Sequence, residues 1–97
     1  MLDDILTEAH RLTHADRNES YGPPIEDYWQ VVNTFAVLTG ITLTPETAAL
    51  FMVSVKLARL RHNLEKGIIH KDSLVDAAGY LWVFASIAEA RGIYDIK

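Results

Sequence analysis

The stretch TPETAALFMVSVKLARLRHNLEKG, residues 44–67, decides the fold. Thr44 reads as an N-cap, Pro45 as a first helical residue and Glu46 as an early acid, which together announce a helix start. Gly67 is a typical stop. The spacing predicts a helix from about Pro45 to Glu65, apolar nearly all round between Ala48 and Leu60. Such a helix is buried on several sides, within its own domain or in an oligomer. The stretch KDSLVDAAGYLWVFASIAEARG, residues 71–92, has the same character. Its expected main stripe is Leu74, Ala77, Ala78, Leu81, Phe84, Ala85 and Ala88, with Trp82, Val83 and Ile87 off it.

Upstream, Leu2, Ile5, Leu6, Ala9 and Leu12 form one stripe of a helix predicted from about Leu2 to Asn18. Gly22, Pro23 and Pro24 break it. A second helix is predicted from near Pro24, with Glu26 and Asp27 against the positive end of its dipole, to Gly40. No strand pattern is present, since Ile41 to Leu43 is too short. The reading is an all-α bundle of about four helices in one domain, residues 1–97, completed by homo-oligomerisation, most simply as a dimer.

Composition agrees. The chain has 97 residues, 49% hydrophobic and 23% charged, which suits one globular domain. A chain this short buries a limited fraction of its surface, so exposed apolar faces favour self-association. It has no cysteine, which excludes disulfides and thiolate metal sites and fits a reducing, cytoplasmic setting. The acidic start and the lack of any apolar run near ~18 residues predict neither a signal peptide nor a membrane span. A net charge of −4 disfavours broad nucleic-acid binding but allows a local basic pocket.

Lys56 is the most informative residue. Ala49, Met52, Val53, Leu60 and Asn63 surround it on one helical face. An ammonium in an apolar stripe needs a partner. Lys56 and Arg59 together could hold a phosphate or carboxylate; Lys56 could equally snorkel or pair structurally with Asp76. Asp72 and Asp76, at i and i+4, share a face that Gly79 and Tyr80 continue, read as lying opposite the main apolar stripe. Asp72 also suits the first turn of a helix for dipole reasons alone. Two such carboxylates could hold Mg²⁺ through its waters. Gly79, costing ~1 kcal/mol relative to Ala in a helix interior, predicts close approach of a backbone, a ring or a ligand. Asp16, Arg17, Tyr21 and Gly22 form a second group: Arg17 and Tyr21 could meet a ligand or the acidic face of the last helix, while Asp16 and Arg17 could equally be surface charges and Tyr21-Gly22-Pro23-Pro24 a rigid turn. His62, His70 and Asp72 are a weaker metal-site candidate.

Ala15-Asp16-Arg17 with Tyr21-Gly22-x-Pro24, then Lys56-Leu57-Ala58-Arg59-Leu60, then His70-Lys71-Asp72-Ser73-x-x-Asp76-x-Ala78-Gly79-Tyr80 resembles a family of small tailed-phage and prophage proteins of unknown function. The resemblance runs from about Leu2 to Glu89, with Pro23 standing where an Asp is expected. The last block is also distantly similar to the final helix of the MazG-like all-α nucleotide pyrophosphatases, Mg²⁺-dependent helical oligomers. Their paired-glutamate motif is missing: the preceding helix carries no carboxylate from Phe51 to Arg59.

These resemblances imply a phage-type binding protein rather than an enzyme. Its ligand is expected to be a nucleotide or other phosphorylated small molecule, contacted by Arg17, Tyr21, Lys56, Arg59, Asp72, Asp76 and Tyr80, with Trp29 a further candidate for stacking. No catalytic residue, metal ligand or cofactor is expected. Sequestration of a host nucleotide signal, an anti-defence role, would suit such a protein. Two alternatives stand beside it: a MazG-like hydrolase, the one reading that requires Mg²⁺, and a non-enzymatic protein-interaction module.

Overall fold

The computed structural model describes residues 2–16 and 22–95. Helix α1 spans Leu2–Arg11 and continues into a π-helical turn, Leu12–Asp16. Helix α2 is Pro24–Thr39, α3 is Pro45–Leu64 and α4 is Lys71–Ala90. No strand occurs among the described residues, and the fold is all-α.

The start and stop signals act as expected. Pro24 opens α2, with Glu26 and Asp27 in its first turn. Gly40 closes it at φ 74°, its N–H donating to the Ala36 carbonyl at 2.8 Å. This left-handed conformation costs glycine nothing sterically. Thr44 caps α3, its Oγ1 accepting from the Thr47 N–H at 3.3 Å. At the far end Gly67 has φ 78°, and the Ile68 N–H reaches back to the Asn63 carbonyl at 3.1 Å.

The first helix departs from the uniform α-helix expected to Asn18. The Thr13 hydroxyl lies 2.9 Å from the Ala9 carbonyl and 3.1 Å from that of His10. It donates to carbonyls that main-chain N–H groups would otherwise take. Such back-bonding competes with the helical ladder, which is consistent with the wider turn from Leu12.

Helices α3 and α4, joined by a short connection, make the largest interface of the molecule. Helix α1 packs on α4, and α2 packs on α3 and more lightly on α4. The core is Tyr28 and Val32 of α2, Ala48 and Ala49 of α3, and Val83 and Ile87 of α4. Ala49 and Ile87 are fully buried. Truncating a buried Ile to Ala typically costs ~2–5 kcal/mol, so Ile87 is among the residues that stabilise the bundle most.

The inward face of α4 corrects the sequence reading. Leu81, expected in the main stripe, is 50% exposed, whereas Val83 and Ile87, expected off it, are 2% and 0% exposed. Asp76, Tyr80, Val83 and Ile87 follow the i, i+4, i+7, i+11 spacing of one face. Asp76 therefore sits on the core-facing side, not opposite it. An all-round apolar helix gives its own sequence no means of choosing a face. Contact with α3 and α1 makes the choice.

The bundle leaves Val37, Leu38 and Phe51 of α2 and α3 largely in solvent, at 85%, 77% and 66% exposure. No helix among the described residues is long and apolar enough to cross a membrane.

Candidate ligand-binding site

Lys56 projects from α3 towards α4. Its Nζ lies 3.0 Å from Oδ2 of Asp76, and its side chain is only 14% exposed. Ala49 and Val53 share its helix face and are buried, so the apolar surroundings expected of it are present. The sequence left open whether Lys56 snorkels or pairs, and it pairs. Asp76 is 36% exposed and keeps contact with water.

Asp76 also lies on the wall of a cavity of about 180 Å³ between α1, the π-helical turn and α4. Ala9, Thr13, Gly79, Tyr80 and Val83 line it with Asp76. Gly79 is buried there, and a Cβ added to it would lie 3.4 Å from Cγ2 of Thr13. The nearest neighbour at Gly79 is thus a side-chain methyl from the π-helical turn, not the backbone, ring or ligand that its sequence position suggested. The contact is at ordinary van der Waals range.

Tyr80 bounds a second, larger cavity as well. This space, about 320 Å³, lies between α2 and α3. Its wall includes Tyr28, Val32, Phe35, Phe51 and Met52. Met52 stands one turn before Lys56 on α3, and Tyr80 one turn after Asp76 on α4. The ion pair and the cavity are therefore adjacent along two helices.

The other expected site residues are distributed differently. Arg59 and Asp72 are exposed, and neither lines these two cavities. Asp72 occupies the first turn of α4, where a carboxylate is favoured by the helix dipole. Arg59, one turn beyond Lys56, forms no ion pair with the described residues. Arg17 and Tyr21 lie outside the described residues. Trp29 is engaged elsewhere: the Arg91 guanidinium sits 5.4 Å from its ring centroid, and Arg91 Nη1 lies 3.3 Å from Oε2 of Glu46. His70 contacts the Ser73 hydroxyl through Nδ1 at 2.8 Å. No group of three or more His, Asp or Glu side chains among the described residues is placed to hold a metal ion.

One cluster escaped the sequence reading. The rings of His10 and His14 stack at 3.9 Å with an angle of 9° between planes, and Trp82 lies against His14 at 4.4 Å. The i, i+4 spacing of the two histidines was its only signal in the sequence.

These features define a class before a family: a small all-α bundle with an inter-helix Lys–Asp pair beside apolar cavities. The chain belongs to the family DUF6378, described as a domain of unknown function, whose model matches residues 4–88. It is 36% identical over 81 residues to the Gene 55 protein of Mycobacterium phage D29, an alignment covering 82% of this chain and 50% of that protein. It is 35% identical over 80 residues to the Gene 55 protein of Mycobacterium phage L5, covering 81% of this chain and 49% of that protein. The chain thus spans about half the length of these relatives. No solved structure matches it significantly. The resemblance to phage proteins of unknown function agrees with these matches. The MazG-like likeness draws no support from them.

Proposed function

We propose that this protein binds a nucleotide or another phosphorylated small molecule, with Lys56 and Arg59 contacting phosphate. The observation that supports this most is the condition of Lys56. Its side chain is only 14% exposed, and its partner Asp76 stands on a cavity wall. An ammonium carries three donors, and one carboxylate does not use them all. Spare donors in a partly desolvated setting favour an incoming phosphate oxygen, and Arg59 adds a second positive charge one turn away. Asp76 and Asp72 would then orient the cations or accept hydrogen bonds from sugar or base, and Tyr80 would shape the wall. Arg17 and Tyr21 belong to the same proposed ligand set.

The helix that carries Lys56 has no carboxylate between Phe51 and Arg59. A site short of acidic ligands and holding cations suits retention of a phosphorylated ligand better than Mg²⁺-dependent hydrolysis. Retention is what a protein that sequesters a host nucleotide signal or buffers a nucleotide pool requires, and the relatives named above are phage proteins.

Thermal-shift and calorimetric titration with nucleotides, cyclic dinucleotides and ADP-ribose derivatives tests the reading. Saturable binding that Lys56→Ala abolishes is expected. A panel with no response from the folded protein overturns it.

A second reading has its own observation. Val37, Leu38 and Phe51 present apolar surface to solvent from adjacent helices. That surface favours a homo-oligomer, or a different protein partner, and is compatible with ligand binding.

A further inference from the structure

The larger cavity differs in kind from the surroundings of Lys56. Four aromatic rings, those of Tyr28, Phe35, Phe51 and Tyr80, stand on its wall, and most of the rest is aliphatic. Its polar residues are the two phenols and Asp27. Each phenol can donate or accept a hydrogen bond, and the Asp27 side chain offers carboxyl oxygens. The preferred occupant is therefore flat and apolar on its faces and polar on its edge, with a hydrogen-bond donor where that edge meets Asp27.

Placement adds a further constraint. Met52 on α3 and Tyr80 on α4 both belong to this wall, and each stands four residues from a member of the Lys56–Asp76 pair. Four residues along a helix is a rise of about 6 Å. A pentose bridges that order of distance between a base and its phosphate.

We propose that the cavity between α2 and α3 is the base subsite of the ligand whose phosphate meets Lys56, and that it selects amino-bearing bases such as adenine and cytosine. This rests on the phosphate reading for the ligand's other end. The aromatic rings provide stacking, which every base can use. Discrimination comes from Asp27. A carboxylate accepts from an exocyclic amine, as it does from N4 of cytosine in nucleic-acid recognition, and disfavours the O4 oxygen that uracil places there. Phe51, 66% exposed, stands on this wall without being part of the packed core, so its ring can be removed without opening the fold.

Calorimetric titration of the full chain with AMP, CMP, UMP, adenosine and ribose 5-phosphate tests this. AMP is expected to bind about tenfold or more tighter than ribose 5-phosphate, the worth of one stacked base. CMP is expected to bind tighter than UMP. Phe51→Ala should reduce AMP to the affinity of ribose 5-phosphate and leave ribose 5-phosphate itself unchanged. Asp27→Asn should remove the difference between CMP and UMP. Equal affinities for AMP and ribose 5-phosphate, or an AMP advantage that survives Phe51→Ala, overturns the base subsite while leaving the phosphate reading intact. Equal affinities for CMP and UMP overturn the selectivity. If adenosine binds in a Phe51-dependent manner and ribose 5-phosphate does not bind, the phosphate reading falls and the base cavity stands. Circular-dichroism melts of each variant confirm that losses of affinity are not losses of fold.

Discussion

Lys56 is the more deeply withdrawn member of its ion pair: 14% of its side chain is exposed against 36% for Asp76, across a contact of 3.0 Å. The two ends of the pair are therefore not equivalent. Removing the carboxylate strands an ammonium in apolar surroundings. Removing the ammonium leaves a carboxylate that still reaches water.

Asp76→Ala should accordingly destabilise the bundle more than Lys56→Met. The loss for Asp76→Ala should be about 1–3 kcal/mol, below the 3–5 typical of fully buried pairs because water reaches this one. Lys56→Met should stay within about 1 kcal/mol of the parent, since a methionine fits the stripe formed by Ala49 and Val53. Urea unfolding of both variants measures this. Equal losses would show that the pair is buried symmetrically in solution.

Gly79→Ala should be neutral or stabilising, by up to ~1 kcal/mol, because helix propensity improves and the new Cβ meets Thr13 Cγ2 at 3.4 Å without overlap. Gly79→Leu should fill the cavity of about 180 Å³ beside Asp76. It should lower the melting temperature if the π-helical turn cannot move aside. A loss of stability from alanine alone would mean that the turn packs closer than 3.4 Å allows.

Arg91 ties three helices together, reaching Glu46 at the start of α3 and the Trp29 ring on α2 from the end of α4. Glu46 Oε2 is buried and makes no hydrogen bond, so the Arg91 charge is its main compensation. Arg91→Ala should cost about 1–3 kcal/mol, and Glu46→Gln combined with it should recover part of that loss. A double-mutant cycle with no coupling between the two positions would contradict the clamp.

Val37 and Leu38 test the oligomer directly. Replacing both with Glu should leave the helical content unchanged, since they are 85% and 77% exposed. Sedimentation velocity should then show a smaller species than the parent. A parent that already sediments as a monomer removes the homo-oligomer reading.

Glu8 supplies a pH dependence. Its carboxyl is held below the ordinary range, chiefly by the hydrogen bond from Arg11, whose Nη2 lies 2.6 Å from Oε1. A depressed folded-state value contributes stability above the unfolded carboxyl range, and that contribution is lost as pH falls through the folded value. Glu8→Gln should therefore narrow the difference between melting temperatures at neutral and acid pH. The group is exposed, so the change should be small.

Much of this fold was legible in the chain. Pro24, Gly40, the Thr44-Pro45 pair and Gly67 are local signals, and the boundaries of α2 and α3 fall beside them. The pairing of Lys56 with Asp76 was one of the alternatives the residues allowed, because a lysine in an apolar stripe restricts what can face it. The inward face of α4 was not legible, since apolar residues surround that helix and only packing selects among them. Nor was the larger cavity. Tyr28, Met52 and Tyr80 come from three helices, and no local pattern states that they meet. Nor was the π-helical turn: Thr13, whose hydroxyl meets the Ala9 carbonyl there, is as a letter in the sequence an ordinary helical threonine.

Tyr80 stands on the walls of both cavities. A single phenol ring is thus a shared partition between two compartments that different helices enclose. An occupant of one compartment that displaced the ring would change the shape of the other. Two occupants that each displaced the ring would be linked, and the coupling would be reciprocal: each would alter the other's affinity by the same factor.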